Sequence, residues 1–237
     1  MRLKTMLLLA CIAPVSVGVM AHGVAQAKEN PGTPYPAMAA LSEYLMPEAA
    51  EIALARTAAP KGISGEADVM VLKRDGYVTA VKGSNGFLCI VERSWANDTK
   101  NSDFWNPKLR APNCFNAAAT KTFVQIYLMK TKLVLAGKSK DEIVQATASA
   151  LDNKTLLPLA EGAMCYMMSK EQYLGDEGKS WHPHLMFFVS GDKAKSWGAD
   201  QPGSPLIAAN DPEERVTIFM MMVGHWSDGT MDSAEMH

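Results

Sequence analysis

Three β-rich runs separated by glycine-containing turns sit close together in the first half of the chain, and they limit the fold more than any other feature. Residues 67–73 (ADVMVLK), 77–82 (YVTAVK) and 87–92 (FLCIVE) are dominated by branched and aromatic side chains. Arg74-Asp75-Gly76 and Gly83-Ser84-Asn85-Gly86 divide them, and Asp-Gly and Asn-Gly supply the positive φ values that tight hairpins need. The pattern predicts a three-stranded antiparallel meander. Its third run is apolar on both parities, Phe87, Cys89 and Val91 against Leu88 and Ile90, which predicts a strand covered on both faces.

Helical periodicity flanks these runs. Residues 37–46 place Met38, Leu41 and Leu45 on one stripe, and Pro47 opens a second short helix over 48–56, where a missing N–H is harmless. Asn116 reads as the N-cap of an amphipathic run through Phe123, Ile126, Met129 or Lys130, and Leu133, closed by Gly137. Ser139-Lys140-Asp141-Glu142 is a capping box opening a further helix to Leu151. The lysines of this region, Lys121, Lys130 and Lys132, are expected on a solvated face. The last third returns to β character at 163–168, 184–189 and 216–225. The order α, βββ, αα, βββ lacks the βαβ alternation of a doubly wound nucleotide fold. It predicts an α+β domain with a mostly antiparallel sheet, made of the meander, the helical hairpin and three further strands, with the helices on one face.

The N-terminus carries an export signal. Arg2 and Lys4 precede an apolar run over 6–20 that ends in Ala25-Gln26-Ala27, the outline of a secretory signal peptide. The run is too short for the roughly 20 residues of a bilayer span. Leu8-Leu9-Ala10-Cys11 resembles a lipoprotein cleavage box, but its apolar run would be shorter than such signals use, so lipidation at Cys11 ranks below simple cleavage. The expected map is a signal peptide at 1–27, a leader at 28–36, one α+β domain at 37–227 and a flexible tail at 228–237. Cleavage removes two cations and no carboxylate, moving the formal charge from −2 to −4. With no basic run, neither nucleic acid nor an anionic membrane surface is expected as a partner, and no stable membrane insertion is expected once the signal is cleaved. The mature protein is expected in the periplasm or outside the cell.

Three cysteines remain after processing, Cys89, Cys114 and Cys165. In an oxidising compartment the count allows one bridge, and Cys89 with Cys114 is the pair that would pin the ends of the long segment between them, leaving Cys165 free in a Met-rich apolar strand. That segment, residues 93–116, has neither helical nor strand period, yet contains Trp95, Phe104 and Trp105. Long irregular loops in compact domains are commonly functional or cross-linked. Trp95, Phe104 and Trp105 either fold back over the sheet or form the rim of a ligand site.

No motif assigns a reaction. Gly137-Lys138-Ser139 and Gly178-Lys179-Ser180 end like phosphate loops, but Lys132 and Tyr173 stand where the opening glycine belongs. Ser190-Gly191-Asp192-Lys193 has Ser-x-x-Lys spacing in a turn rather than a helix, without a Lys-Thr-Gly partner. One constellation remains. His182 and His184 stand two apart at the start of a strand, and His225 and Asp228 end another, so these four could meet at one rim as acid–base groups or metal ligands. Thirteen methionines in the mature chain, clustered at Met164, Met167, Met168 and 220–222, raise Cu(I) handling. Consecutive methionines in a strand point to opposite faces, so core filling is the preferred account, and no cofactor or metal is expected.

Two readings follow. The leading one is a non-catalytic exported domain that binds a small molecule, glycan or envelope partner through the loop of Trp95, Phe104 and Trp105. The alternative is a hydrolase or metal-dependent enzyme using a His182/His184/His225 rim.

Overall fold

The structure is a computed structural model that describes residues 34–233, so the expected signal peptide and most of the leader lie outside the described residues. The fold is α+β. Three short helices, α1 (Leu41–Tyr44), α2 (Glu48–Arg56) and α3 (Lys61–Ser64), precede strands β1 (Asp68–Lys73), β2 (Gly76–Val81), β3 (Leu88–Glu92) and β4 (Ala111–Phe115). Helices α4 (Ala117–Lys121), α5 (Phe123–Leu135) and α6 (Lys140–Asp152) follow, then β5 (Met164–Met167), β6 (His184–Ser190), β7 (Leu206–Asp211) and β8 (Val216–Met222). The strands form one sheet in the order β2-β1-β3-β4-β5-β6-β8-β7. Every neighbouring pair is antiparallel except β1 and β3.

That exception corrects the expected meander. β2 returns along β1, but β3 pairs with the opposite edge of β1 and runs parallel to it, Asp68 opposite Leu88. The segment 83–87 crosses the start of β1 instead of turning a hairpin. Its backbone is held there: the Ser84 and Asn85 N–H groups donate to the Glu66 carbonyl and the Gly83 N–H to Asp68 Oδ1. A Cβ at residue 83 would lie 2.2 Å from the Glu66 carbonyl oxygen, so only glycine permits the crossing.

Helices cover both faces of the sheet, not one. Leu54 and Ala55 of α2 pack on Val69, Cys89, Val91 and Cys114. On the other face Val124, Tyr127 and Val134 of α5, with Ile143 of α6, pack toward Leu88, Ile90, Phe115 and Phe188. The two apolar parities of β3 have their separate partners here, and all five of its residues are buried. Both cap signals are present: Asn116 accepts from the Ala119 N–H, and Ser139 with Glu142 forms a reciprocal capping box. The run after Asn116 is divided at Thr122, whose φ of −126° and ψ of −76° leave the helical region. Lys130 departs from the expected solvated face: it is 2% exposed, and its ammonium donates to Glu214 Oε1 at 2.7 Å. Residues 228–232, expected as flexible tail, fold back: Asp232 donates its N–H to the Gly224 carbonyl and His225 bridges to Met231.

Cys89 and Cys114 form a disulfide across β3 and β4, where the register places them directly opposite, and Cys165 is free and buried. The 25-residue separation should contribute on the order of 3 kcal/mol by restricting the unfolded chain. Denaturant unfolding of Cys89→Ala/Cys114→Ala against wild type is expected to show that loss, and peptide mapping without reductant to return the Cys89–Cys114 cross-link. Free thiols at both positions in protein folded under oxidising conditions would contradict it.

Candidate functional site

Strand alternation gathers one set of side chains under α5. The register sets Glu92 opposite Ala111, Ile90 opposite Asn113 and Leu88 opposite Phe115, so the β3 and β4 residues of this parity share a face. Continuing across the sheet, Phe115 meets Cys165, Cys165 meets Met186, and Met186 meets Met220. Between this face and α5 lies a cavity of about 270 Å³. Phe115, Met186, Phe188, Ile218 and Met220 line it from the sheet, Phe123 and Tyr127 from α5, and Leu109, Leu174 and Trp181 from the connecting segments.

Few polar groups enter this apolar space, and they lie in distinct places. At the β3–β4 side, Glu92 is 7% exposed and accepts a hydrogen bond from Asn113 Nδ2 at 2.6 Å on Oε2. Burial pushes its carboxyl up to about 8, with repulsion from Glu214 adding to the shift and the Asn113 bond and Lys130 opposing it. Glu92 thus holds a proton well above the ordinary carboxylate range. Glu214 also lines the cavity and is paired with Lys130, whose ammonium reaches the Asn97 carbonyl as well.

At the β6 side, His184 is 2% exposed and lines the same cavity. Its Nδ1 lies 2.7 Å from the His182 carbonyl, which can only accept, so Nδ1 carries the proton and Nε2 keeps its lone pair. Burial pushes the imidazole below its usual value, favouring the neutral ring. Trp181 packs edge-on against it with ring centroids 4.6 Å apart.

The other residues singled out by sequence are dispersed. His182 Nδ1 is bonded to Asp232 Oδ2 at 2.6 Å, His225 is exposed, and Asp228 lies at the surface against Lys170 and Thr230. His182, His184, His225 and Asp228 therefore do not converge, and no group of three or more His, Cys, Asp or Glu able to hold a metal occurs among the described residues. In the aromatic loop, Trp95 and Phe104 are fully buried and Trp105 is 8% exposed. Trp95 Nε1 donates to Thr131 of α5 at 2.9 Å, and the Trp105 carbonyl accepts from the Tyr44 hydroxyl at 2.7 Å. These side chains fold back into the core and present no rim to a ligand.

Glu92 and Asn113 were not singled out by sequence. A signal for Glu92 exists: it closes the apolar run FLCIVE on the same parity as Leu88 and Ile90, where a carboxylate must be buried. Asn113 carries none, because APNCF contains a proline and reads as loop. Comparison with protein-family models, with curated proteins and with solved structures returned no match for this chain.

The Glu92 shift has a definite sign. A carboxyl that titrates near 8 in the folded chain, against 4.5 in the unfolded one, keeps its proton after the unfolded chain has lost it. Stability from this group is full below about pH 4.5 and is lost as pH rises to about 8. Glu92→Gln retains a partner for Asn113 without an ionisable proton. It should match wild type near pH 4 and exceed it near pH 8 by on the order of 4 kcal/mol. Urea unfolding of both proteins across that range checks this, and parallel stability profiles would contradict the burial of an ionisable carboxyl.

Proposed function

We propose that this chain is an exported, non-catalytic binding protein that holds a small, predominantly apolar molecule in the cavity between α5 and the sheet. The cavity itself carries the reading: a concave, mostly apolar space with a few polar groups at fixed points is the usual form of a small-molecule site. The leading expectation of a binding domain is kept, and its location moves from the loop of Trp95, Phe104 and Trp105 to this cavity. The apolar lining favours a ligand with one polar head, met by Glu92 and Asn113. A glycan, with hydroxyls on every side, suits such a lining poorly. The export signal at 1–27 supports an envelope or extracellular setting. The Cys89–Cys114 disulfide fits an oxidising compartment, and no helix among the described residues is long and apolar enough to cross a membrane.

A second reading draws on Glu92. A buried carboxyl held protonated to about 8 beside a cavity is the type of group that serves as a general acid, and it replaces the His182/His184/His225 rim as the basis of an enzymatic alternative.

Indole tests the binding reading directly, being apolar over both rings with one N–H for the Glu92 side. Ala111 lines the cavity opposite Glu92, so Ala111→Phe fills the space, and Ile218→Phe does so from β8. Calorimetric titration is expected to show indole binding to wild type and at least a tenfold loss in either variant that retains a cooperative melt. Equal binding by wild type and both filled variants, or none by wild type, would contradict the proposal.

A further inference from the structure

The methionines of the cavity are not spread evenly. β6 alternation puts His184 and Met186 on the face that lines the cavity, and the register sets Met220 of β8 directly opposite Met186 and Met167 of β5 directly opposite His184. Directly opposed side chains on one face have Cβ atoms about 4.5–5.5 Å apart and diagonal ones about 7–8 Å. His184, Met186 and Met220 therefore form a compact triangle, and each methionine adds three rotatable bonds with which to bring its sulfur inward. The alternation that argues against a metal from sequence alone here selects Met220 for the cavity and turns Met221 away.

We propose that His184, Met186 and Met220 form a binding site for a soft monovalent metal ion, Cu(I). Thioethers and a neutral imidazole are uncharged, polarisable donors that suit Cu(I) and discriminate against hard divalent cations, which need several oxygen ligands. The imidazole is held as a ligand requires: Nδ1–H donates to the His182 carbonyl at 2.7 Å and leaves Nε2 to coordinate. Trp181 also lines the cavity and lies against that ring, with centroids 4.6 Å apart. The carboxyl groups of the cavity are elsewhere, Glu92 three strands away on β3 and Glu214 paired with Lys130. Cys165 shares the face, directly opposite Met186, but does not line the cavity and is no part of the site.

This inference rests on the cavity being an occupied site, as in the function proposed above. The test is Cu(I) retention by the exported, disulfide-bonded protein, held anaerobically with ascorbate against a chromophoric Cu(I) chelator, with Ag(I) as a redox-inert probe. Met186→Leu/Met220→Leu conserves volume and removes both thioethers. Met220→Leu alone is the milder variant, and Cys165→Ala controls for the thiol. Wild type and Cys165→Ala are expected to retain one equivalent, Met220→Leu to bind at least tenfold more weakly and the double variant at least a hundredfold. Retention unchanged in the folded leucine variants, or lost in Cys165→Ala, would overturn the site. Indole binding by wild type is measured in parallel: indole bound with no Cu(I) retained overturns the metal site alone, whereas neither bound overturns both proposals.

Discussion

A buried charge pair at the end of β3 holds the frame on which the cavity depends. Arg93 and Glu51 have no exposed side-chain surface and meet at 2.8 Å. Ions taken out of water carry a desolvation cost that further hydrogen bonds help to offset. Arg93 Nε donates to the Tyr44 carbonyl, its Nη1 to the Val91 carbonyl, and Glu51 Oε1 also accepts the Leu72 N–H. The Tyr127 hydroxyl, itself bonded to that of Tyr77, accepts the Arg93 N–H. The guanidinium thus ties α1, α2 and β3 together, Glu51 adds β1 through the Leu72 N–H, and the Arg93 backbone N–H adds α5. The residue before it is Glu92, so the same network determines where that carboxyl enters the cavity.

Local signals and long-range ones were legible to different degrees. Cap chemistry at Asn116 and Ser139, the strand character of β1, β2, β3, β5, β6 and β8, and the disulfide partners follow from residues within a few positions of each other or from simple counting. The crossing at Gly83 does not, because Asn-Gly suits both a hairpin and a loop, and only the contact with Glu66 distinguishes them. β4 was hidden by Pro112 and by being a central strand with polar Asn113 inside it. β7, an edge strand of sequence LIAAND, has Ile207 as its one strong β-former among alanines, Asn and Asp, too little to detect. Lys130 was misplaced for a related reason: its partner Glu214 lies 84 positions away, and no local pattern announces a buried ion pair of that separation.

The site shows the same division. His184 and the methionines were visible as residue types, but their grouping needs the register of β5, β6 and β8, which no single strand specifies. The His rim rested on matching strand ends. The β6–β8 register sets His184 opposite Met222, so His225 lies three positions beyond the pairing and out of reach. The aromatic loop attracted a ligand reading because it is long and rich in rings. Those rings instead supply apolar area beneath a connection that spans the helices and the sheet, Trp95 against Tyr44 at 5.2 Å and Phe104 against Trp105 at 4.6 Å. What remains is a chamber with an acid and amide at one end and an imidazole with thioethers at the other.

The most direct measurement of that cavity is the anomalous signal of a crystal equilibrated with xenon, which settles in apolar space and reports its position without assuming a ligand. The account predicts a xenon peak bounded by Phe115, Met186 and Ile218. Side chains filling that space, or ordered waters bonded through it in place of xenon, would contradict an apolar binding chamber.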